Sequence, residues 1–167
     1  VSDRIEKFVP PRKGRKHVLR VLRELLFHEP EGRGTDLTVA LEYLNHVQRK
    51  KAVAFLVSDF QDEGFDRALA VAGRRHDLIA VRLGDRRERT LPPLGYLELE
   101  DPETGDRVVV NTSDETFRSN FERQVTERAA GLDRALRKSK VDVIDIETGE
   151  PYVKPLMRFF QDRARRQ

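Results

Sequence analysis

The sequence predicts an α/β fold: a mainly parallel sheet with helices on both faces, carrying a β-hairpin insert. Three observations carry that prediction. Ala52-Val53-Ala54-Phe55-Leu56-Val57-Ser58 is apolar at almost every position, which suits a strand sandwiched between helix layers and not a strand with one wet face. Leu78-Ile79-Ala80-Val81-Arg82-Leu83 has the same character. Helical stretches alternate with these strands, and parallel neighbours require such crossover connections.

The 167 residues suit a single domain, 1–167, able to hide roughly 70% of its unfolded surface. With no cysteine there is no disulfide, in agreement with a reducing compartment. The longest apolar run falls far short of the roughly 20 residues that cross a bilayer, and no signal-peptide pattern opens the chain, so a cytoplasmic body without a membrane segment is expected. Lys plus Arg number 32 against 29 for Asp plus Glu, and an excess of +3 makes no strong case for nucleic acid. Two basic clusters, Arg12-Lys13-Gly14-Arg15-Lys16 and Arg163-Ala164-Arg165-Arg166, are more simply a solvated helix start and a cationic helix end that complements its dipole.

In chain order, Val1 to Val9 resembles the end of a strand, stopped by Pro10-Pro11 where the ladder loses two donors. Opening there, without methionine, the chain is expected to be the later part of a longer protein. From Arg15 to His28, Val18, Leu19, Leu22, Leu25 and Leu26 form one helical stripe. Glu29-Pro30-Glu31-Gly32-Arg33-Gly34 is a loop, because Pro30 disfavours helix before it. A second helix starts at Thr35 or Asp36 and runs to about Arg49, with Leu37, Ala40, Leu41, Leu44 and Val47 inward. Asp59 ends the buried strand, Gln61-Asp62-Glu63-Gly64 turns, and a helix from Phe65 to about Arg75 follows.

Gly95 to Leu99 and Arg107 to Asn111 flank Asp101-Pro102-Glu103-Thr104-Gly105-Asp106, the pattern of a hairpin on the sheet edge or rim. Thr112-Ser113-Asp114-Glu115 has the form of a capping box with Thr112 as N-cap, opening a long helix to Lys138. Val141 to Ile146 is the last strand. Pro151 suits the first position of a closing helix whose stripe is Val153, Leu156, Met157 and Phe160.

Two features point to chemistry at one rim. The Gly32-to-Leu37 stretch puts the Thr35 hydroxyl and the Asp36 carboxylate at a loop-to-helix junction, and Asp59 lies at the carboxyl end of the next strand, where open α/β sheets bind ligands. Hard oxygen donors of this kind, completed by water, suit Mg²⁺ or Mn²⁺. The plain alternatives are an N-cap at Thr35 and a turn-capping carboxylate at Asp59. His17, His28, His46 and His76 show no metal-ligand spacing, and there is no glycine-rich phosphate loop or serine nucleophile elbow.

Four segments in order, Val1 to Gly14, Gly32-Arg33-Gly34-Thr35-Asp36-Leu37, Phe55-Leu56-Val57-Ser58-Asp59-Phe60, and Glu150-Pro151-Tyr152-Val153 to Phe159-Phe160, resemble the DUF58 family of bacterial proteins, which carry a von Willebrand factor A-like domain. The resemblance implies a doubly wound sheet, incomplete at its amino end, with a metal ion dependent adhesion site at its carboxyl edge. Such a site takes an Asp-x-Ser-x-Ser loop, a Thr before a helix and an Asp after a later strand. Thr35 matches the second element and Asp59 the third; the first is absent from the sequence. What the resemblance implies is therefore half a metal site and a non-catalytic interaction domain, whose partner is a MoxR-type AAA+ ATPase acting in assembly or maturation of complexes. It also implies that a strand missing beside Ala52 to Ser58 leaves an apolar edge open to self-association. An enzyme reading, Mg²⁺-dependent phosphoryl transfer or hydrolysis using Asp59 and Asp36, is the alternative.

Overall fold

The computed structural model describes residues 2–32, 34–100 and 105–165. Helix α1 (Arg15–Phe27) and helix α2 (Leu37–Val47) precede strand β1 (Val53–Ser58), helix α3 (Asp66–Arg75) and strand β2 (Asp77–Gly84). A hairpin of β3 (Tyr96–Glu100) and β4 (Arg107–Asn111), helix α4 (Glu115–Lys138), strand β5 (Asp142–Glu147) and helix α5 (Val153–Ala164) complete the order. The sheet is parallel, in the order β1-β2-β5, so β2 is central and β1 lies at an edge. The register pairs Phe55 with Ile79 and Val81 with Ile144.

Alternation along β2 sends side chains to both faces. Leu78 and Ala80 join Leu37 and Leu41 of α2, Ala68, Leu69 and Ala72 of α3, and Leu136 of α4 in one buried cluster. Ile79 and Val81 join Ile144 in a smaller one, covered by Leu156 and Phe159 of α5. Each fully buried Leu or Ile contributes about 1.5–3 kcal/mol. Helices therefore flank the sheet on both faces, with the heavier layer on the α2–α3–α4 side.

Two polar devices fix the ends of these layers. Arg163 of α5 pairs with Asp77 at the start of β2 and with Asp142 at the start of β5, and its guanidinium lies 5.8 Å from the Phe159 ring centroid. Arg163 is therefore a brace and not part of a frayed cationic end; Arg166 lies outside the described residues. At the end of α4, Lys140 takes a left-handed φ of 56°, its amide bonds Arg137 O at 3.1 Å, and Val141 N bonds Leu136 O at 3.0 Å. This is a Schellman cap with lysine where glycine is usual.

Several sequence-based expectations are corrected. Residues 4–9 form no strand; instead the segment hydrogen-bonds to the loop before α2 and stacks Phe8 edge-on against Tyr43. β1 is not buried on both faces: Val53, Phe55 and Val57 are 60%, 48% and 59% exposed, because α5 packs over β2 and β5 and reaches this edge strand at the Phe160 ring, 6.3 Å from that of Phe55. None of the apolar residues of α1 is buried. In α5 the packed residues are Leu156 and Phe159, while Val153, Met157 and Phe160 are exposed. The helix begins after Tyr152, so Pro151 precedes it.

The capping box is also corrected. Asp114 caps α4, its carboxylate accepting from Thr116 N at 2.8 Å and Phe117 N at 3.3 Å. Thr112 is fully buried at the neck of the hairpin, where its hydroxyl donates to Gly95 O at 2.8 Å and accepts from Leu94 N at 3.0 Å. The hairpin is a separate two-stranded sheet and adds no strand to the main one. Its turn residues 101–104 lie outside the described residues.

Candidate functional site

Asp59 leaves the carboxyl end of β1 exposed, and the turn after it explains why. Phe60 adopts φ 58°, a conformation strained for a bulky residue, and is buried against Phe65. Turning Phe60 inward holds Asp59 outward. One carboxylate oxygen, Oδ1, accepts weakly from Gln61 N at 3.3 Å, as a turn-capping aspartate does. No hydrogen bond among the described residues reaches its Oδ2.

Thr35 is exposed and is not the N-cap of α2. That role belongs to Asp36, whose Oδ1 accepts from Val39 N at 2.9 Å. The Thr35 hydroxyl is thus left unused by the helix, while Asp36 is committed to it. A third carboxylate ties the two loops together: Asp62 accepts from Leu37 N at 2.7 Å through Oδ2 and from Glu63 N at 2.7 Å through Oδ1. Asp62 thereby complements the positive end of α2 and anchors the loop that carries Asp59 beside the one that carries Thr35.

Thr35 and Asp59 line one cleft of about 620 Å³, together with Phe55, Val57, Asp85 and Thr148. Thr148 Oγ1 donates to Asp85 Oδ2 at 2.8 Å, so the far wall is also oxygen-lined. None of the four histidines lines it. His28 instead contacts Glu6 at 2.9 Å, and His76 is buried with neither ring nitrogen hydrogen-bonded, its pKa pushed down by burial and then by Arg75.

A second groove, about 1110 Å³, runs from Asp59 along α4 past Phe121 and Val125. On its wall Arg82 bridges Asp145 at 2.6 Å and Asp133 at 2.9 Å, and these carboxylates hold its pKa above the ordinary arginine value, Asp145 first. Arg82 is thus already neutralised.

For Mg²⁺ or Mn²⁺, Thr35 and Asp59 are suitable donors in kind. Two protein oxygens are few for an ion that demands near-octahedral geometry, and no group of three or more His, Cys, Asp or Glu side chains suited to a metal occurs among the described residues. Donors beyond these would have to come from elsewhere. Asp62, Asp85 and Thr148 had no signal in the sequence, since their places depend on contacts between distant residues.

Comparison with known proteins adds lineage to this geometry. The family model described as protein of unknown function DUF58 matches residues 1–131. The chain belongs to the DUF58 family. The match includes the Thr35 and Asp59 loops and ends within α4, before the Glu150-to-Phe160 segment. Uncharacterised proteins of Mycobacterium tuberculosis and Mycobacterium bovis are each 30% identical over 161 residues, covering 94% of this chain and 50% of the relative. The chain thus spans about half the length of these curated relatives. An uncharacterised Mycobacterium avium protein is 28% identical over 160 residues, covering 94% of both chains. No solved structure matches. No helix among the described residues is long and apolar enough to cross a membrane.

Proposed function

We propose that this DUF58 chain is a non-catalytic interaction domain, von Willebrand factor A-like in fold, which binds a protein partner at the carboxyl rim of its sheet. Thr35 and Asp59 would hold a Mg²⁺ or Mn²⁺ ion there with donors from beyond these residues, and the ion would supply a Lewis-acidic point for a partner carboxylate. The resemblance to the family points to a MoxR-type AAA+ ATPase as that partner, in assembly or maturation of other complexes.

One observation carries the reading. Two oxygen side chains from separate loops line one cleft, and neither is consumed by its own helix or strand: Asp36, not Thr35, caps α2, and Asp59 keeps an oxygen without a hydrogen bond. The hydrolytic alternative is less well supported, because its second carboxylate, Asp36, caps α2 through Val39 N and does not line the cleft that Asp59 lines.

The test is capture of a MoxR-type ATPase by the full-length protein, with and without chelator. Thr35→Ala, Asp59→Ala and chelator should each reduce recovery at least about tenfold, the scale of losing an essential ligand contact. Recovery unchanged by all three would overturn the metal-rim reading. Metal-dependent turnover of a generic phosphoester that disappears in Asp59→Asn would favour the enzyme instead.

A further inference from the structure

We infer that Glu6 is a positioning residue for the Thr35 loop, acting through Gly32; the inference rests on the reading of Thr35 as a metal ligand. Residues 2–6 belong to no strand, yet the Ser2 residue and the Glu6 side chain are each only 5% exposed. A carboxylate buried to that degree must be matched by donors. Glu6 has three: Ser2 Oγ at 2.5 Å, Gly32 N at 2.9 Å and His28 Nε2 at 2.9 Å. These bonds, led by that from Ser2, hold the Glu6 carboxyl down to about 2.

The grip is on one stretch of chain. Glu6 takes His28 at the end of α1 and Gly32 in the loop, and the Ser2 carbonyl accepts from Asp36 N at 3.0 Å. Gly32 has no room for a larger residue: a Cβ there would collide with Asp3 Oδ1 and Ser2 Oγ and come within 2.8 Å of Ser2 Cβ. On the other side of Thr35, Asp62 holds Leu37 N. Thr35 is therefore suspended between anchors on both sides, and the Glu6 contact with Gly32 keeps the Ser2 strap in place. Without it the Gly32 amide loses its acceptor, and among the described residues the loop keeps the exposed Arg4–Glu31 ion pair at 2.9 Å and the Ser2–Asp36 bond. Partners bonded directly to a metal ligand typically govern metal affinity by about 10–100-fold, and Glu6, which acts on the loop that carries the ligand, falls at the lower end of that range.

The experiment uses Mn²⁺ alone as probe, binding to the full-length polypeptide followed by electron paramagnetic resonance, with amide hydrogen exchange read alongside. Glu6→Ala and Gly32→Ala should each weaken Mn²⁺ binding by about tenfold. Faster exchange should be confined to the amides around residues 32–36. Glu6→Gln, which keeps a carbonyl acceptor for Gly32 N, should retain most of the affinity. A purely structural brace would lower thermal stability and leave Mn²⁺ affinity in the folded protein unchanged; that result overturns the inference while Thr35→Ala still loses the ion. If wild type does not bind Mn²⁺, or Thr35→Ala and Asp59→Ala bind it as wild type does, the ligand reading itself fails and the inference with it. Gly32→Ala disturbs the same contact from the opposite side, so it decides the matter should Glu6→Ala fail to fold.

Discussion

Replacing Gly73 and Gly131 by alanine, one at a time, should move stability in opposite directions, although both glycines lie inside helices. Alanine in a helix interior is favoured over glycine by about 1 kcal/mol, so without tertiary constraint both variants would gain. Gly131 in α4 meets that condition, since an added Cβ would find only Arg134 Nη2, at 3.8 Å. Gly73 in α3 does not: its Cβ would lie 2.5 Å from the Ser139 carbonyl oxygen and 3.1 Å from Val141 Cγ2. Ser139 sits in the Schellman cap, pinned by the bonds of Lys140 to Arg137 O and Val141 to Leu136 O, so the obstructing atom is backbone that cannot swing aside. Overpacking a site of this kind costs about 1–3 kcal/mol. With the upper part of that range set against the helix gain, Gly73→Ala should lose about 2 kcal/mol. Gly131→Ala should gain about 0.5–1 kcal/mol. In a chain of this length each kcal/mol shifts Tm by about 2–4 °C. Urea titrations followed by circular dichroism, with melting curves, would measure both. A Gly73→Ala variant as stable as wild type would refute the close packing of α3 on the end of α4.

Other outcomes follow from the same structure. Lys140→Gly should raise stability by about 1 kcal/mol in the same titrations, because it relieves a left-handed lysine and keeps both cap bonds. Burial lowers the pKa of His76, so below its ordinary value near 6.5 the unfolded chain takes up a proton that the folded chain resists. Stability should therefore be full above that pH and fall as the pH drops through it; His76→Leu should flatten that slope and match or exceed wild type at pH 8, since neither ring nitrogen has a hydrogen bond to lose. The 167-residue chain alone should self-associate through β1, and Val57→Lys should suppress this in sedimentation velocity, as a lysine blunts an edge strand; a wild-type chain that sediments as a monomer at all concentrations would count against it.

The order and type of most helices and strands were legible because each carries a strong local period. Leu37, Leu41 and Leu44 mark the inner side of α2 wherever it packs, and the turn-rich residues around Gly105 mark a hairpin. Burial was less legible. The apolar run from Val53 to Val57 has the composition of an interior strand, yet sequence alone does not say whether neighbours lie on both its sides. α1 has the same ambiguity: Leu22, Leu25 and Leu26 form a clean stripe that stays exposed. Capping failed for a local reason, since Thr112 and Asp114 are both good N-caps two residues apart and the hairpin neck claimed the threonine. At the rim, Thr35 and Asp59 stood out by chain position and family resemblance. Asp62 and Glu6 did not, because each acts on an amide 25 or 26 residues away.

The Thr112 neck has a consequence for how this chain can vary. Its hydroxyl and amide, with Leu94 and Gly95, clasp the base of the hairpin, the amide donating to Gly95 O at 2.7 Å. Beyond that clasp the excursion begins and ends at nearly the same point, so its length is decoupled from the path of the chain between β2 and α4. A fluorescent reporter, an affinity tag or a different loop grafted beyond residues 95 and 112 would meet the same closed doorway, which makes this the natural socket for building on the domain.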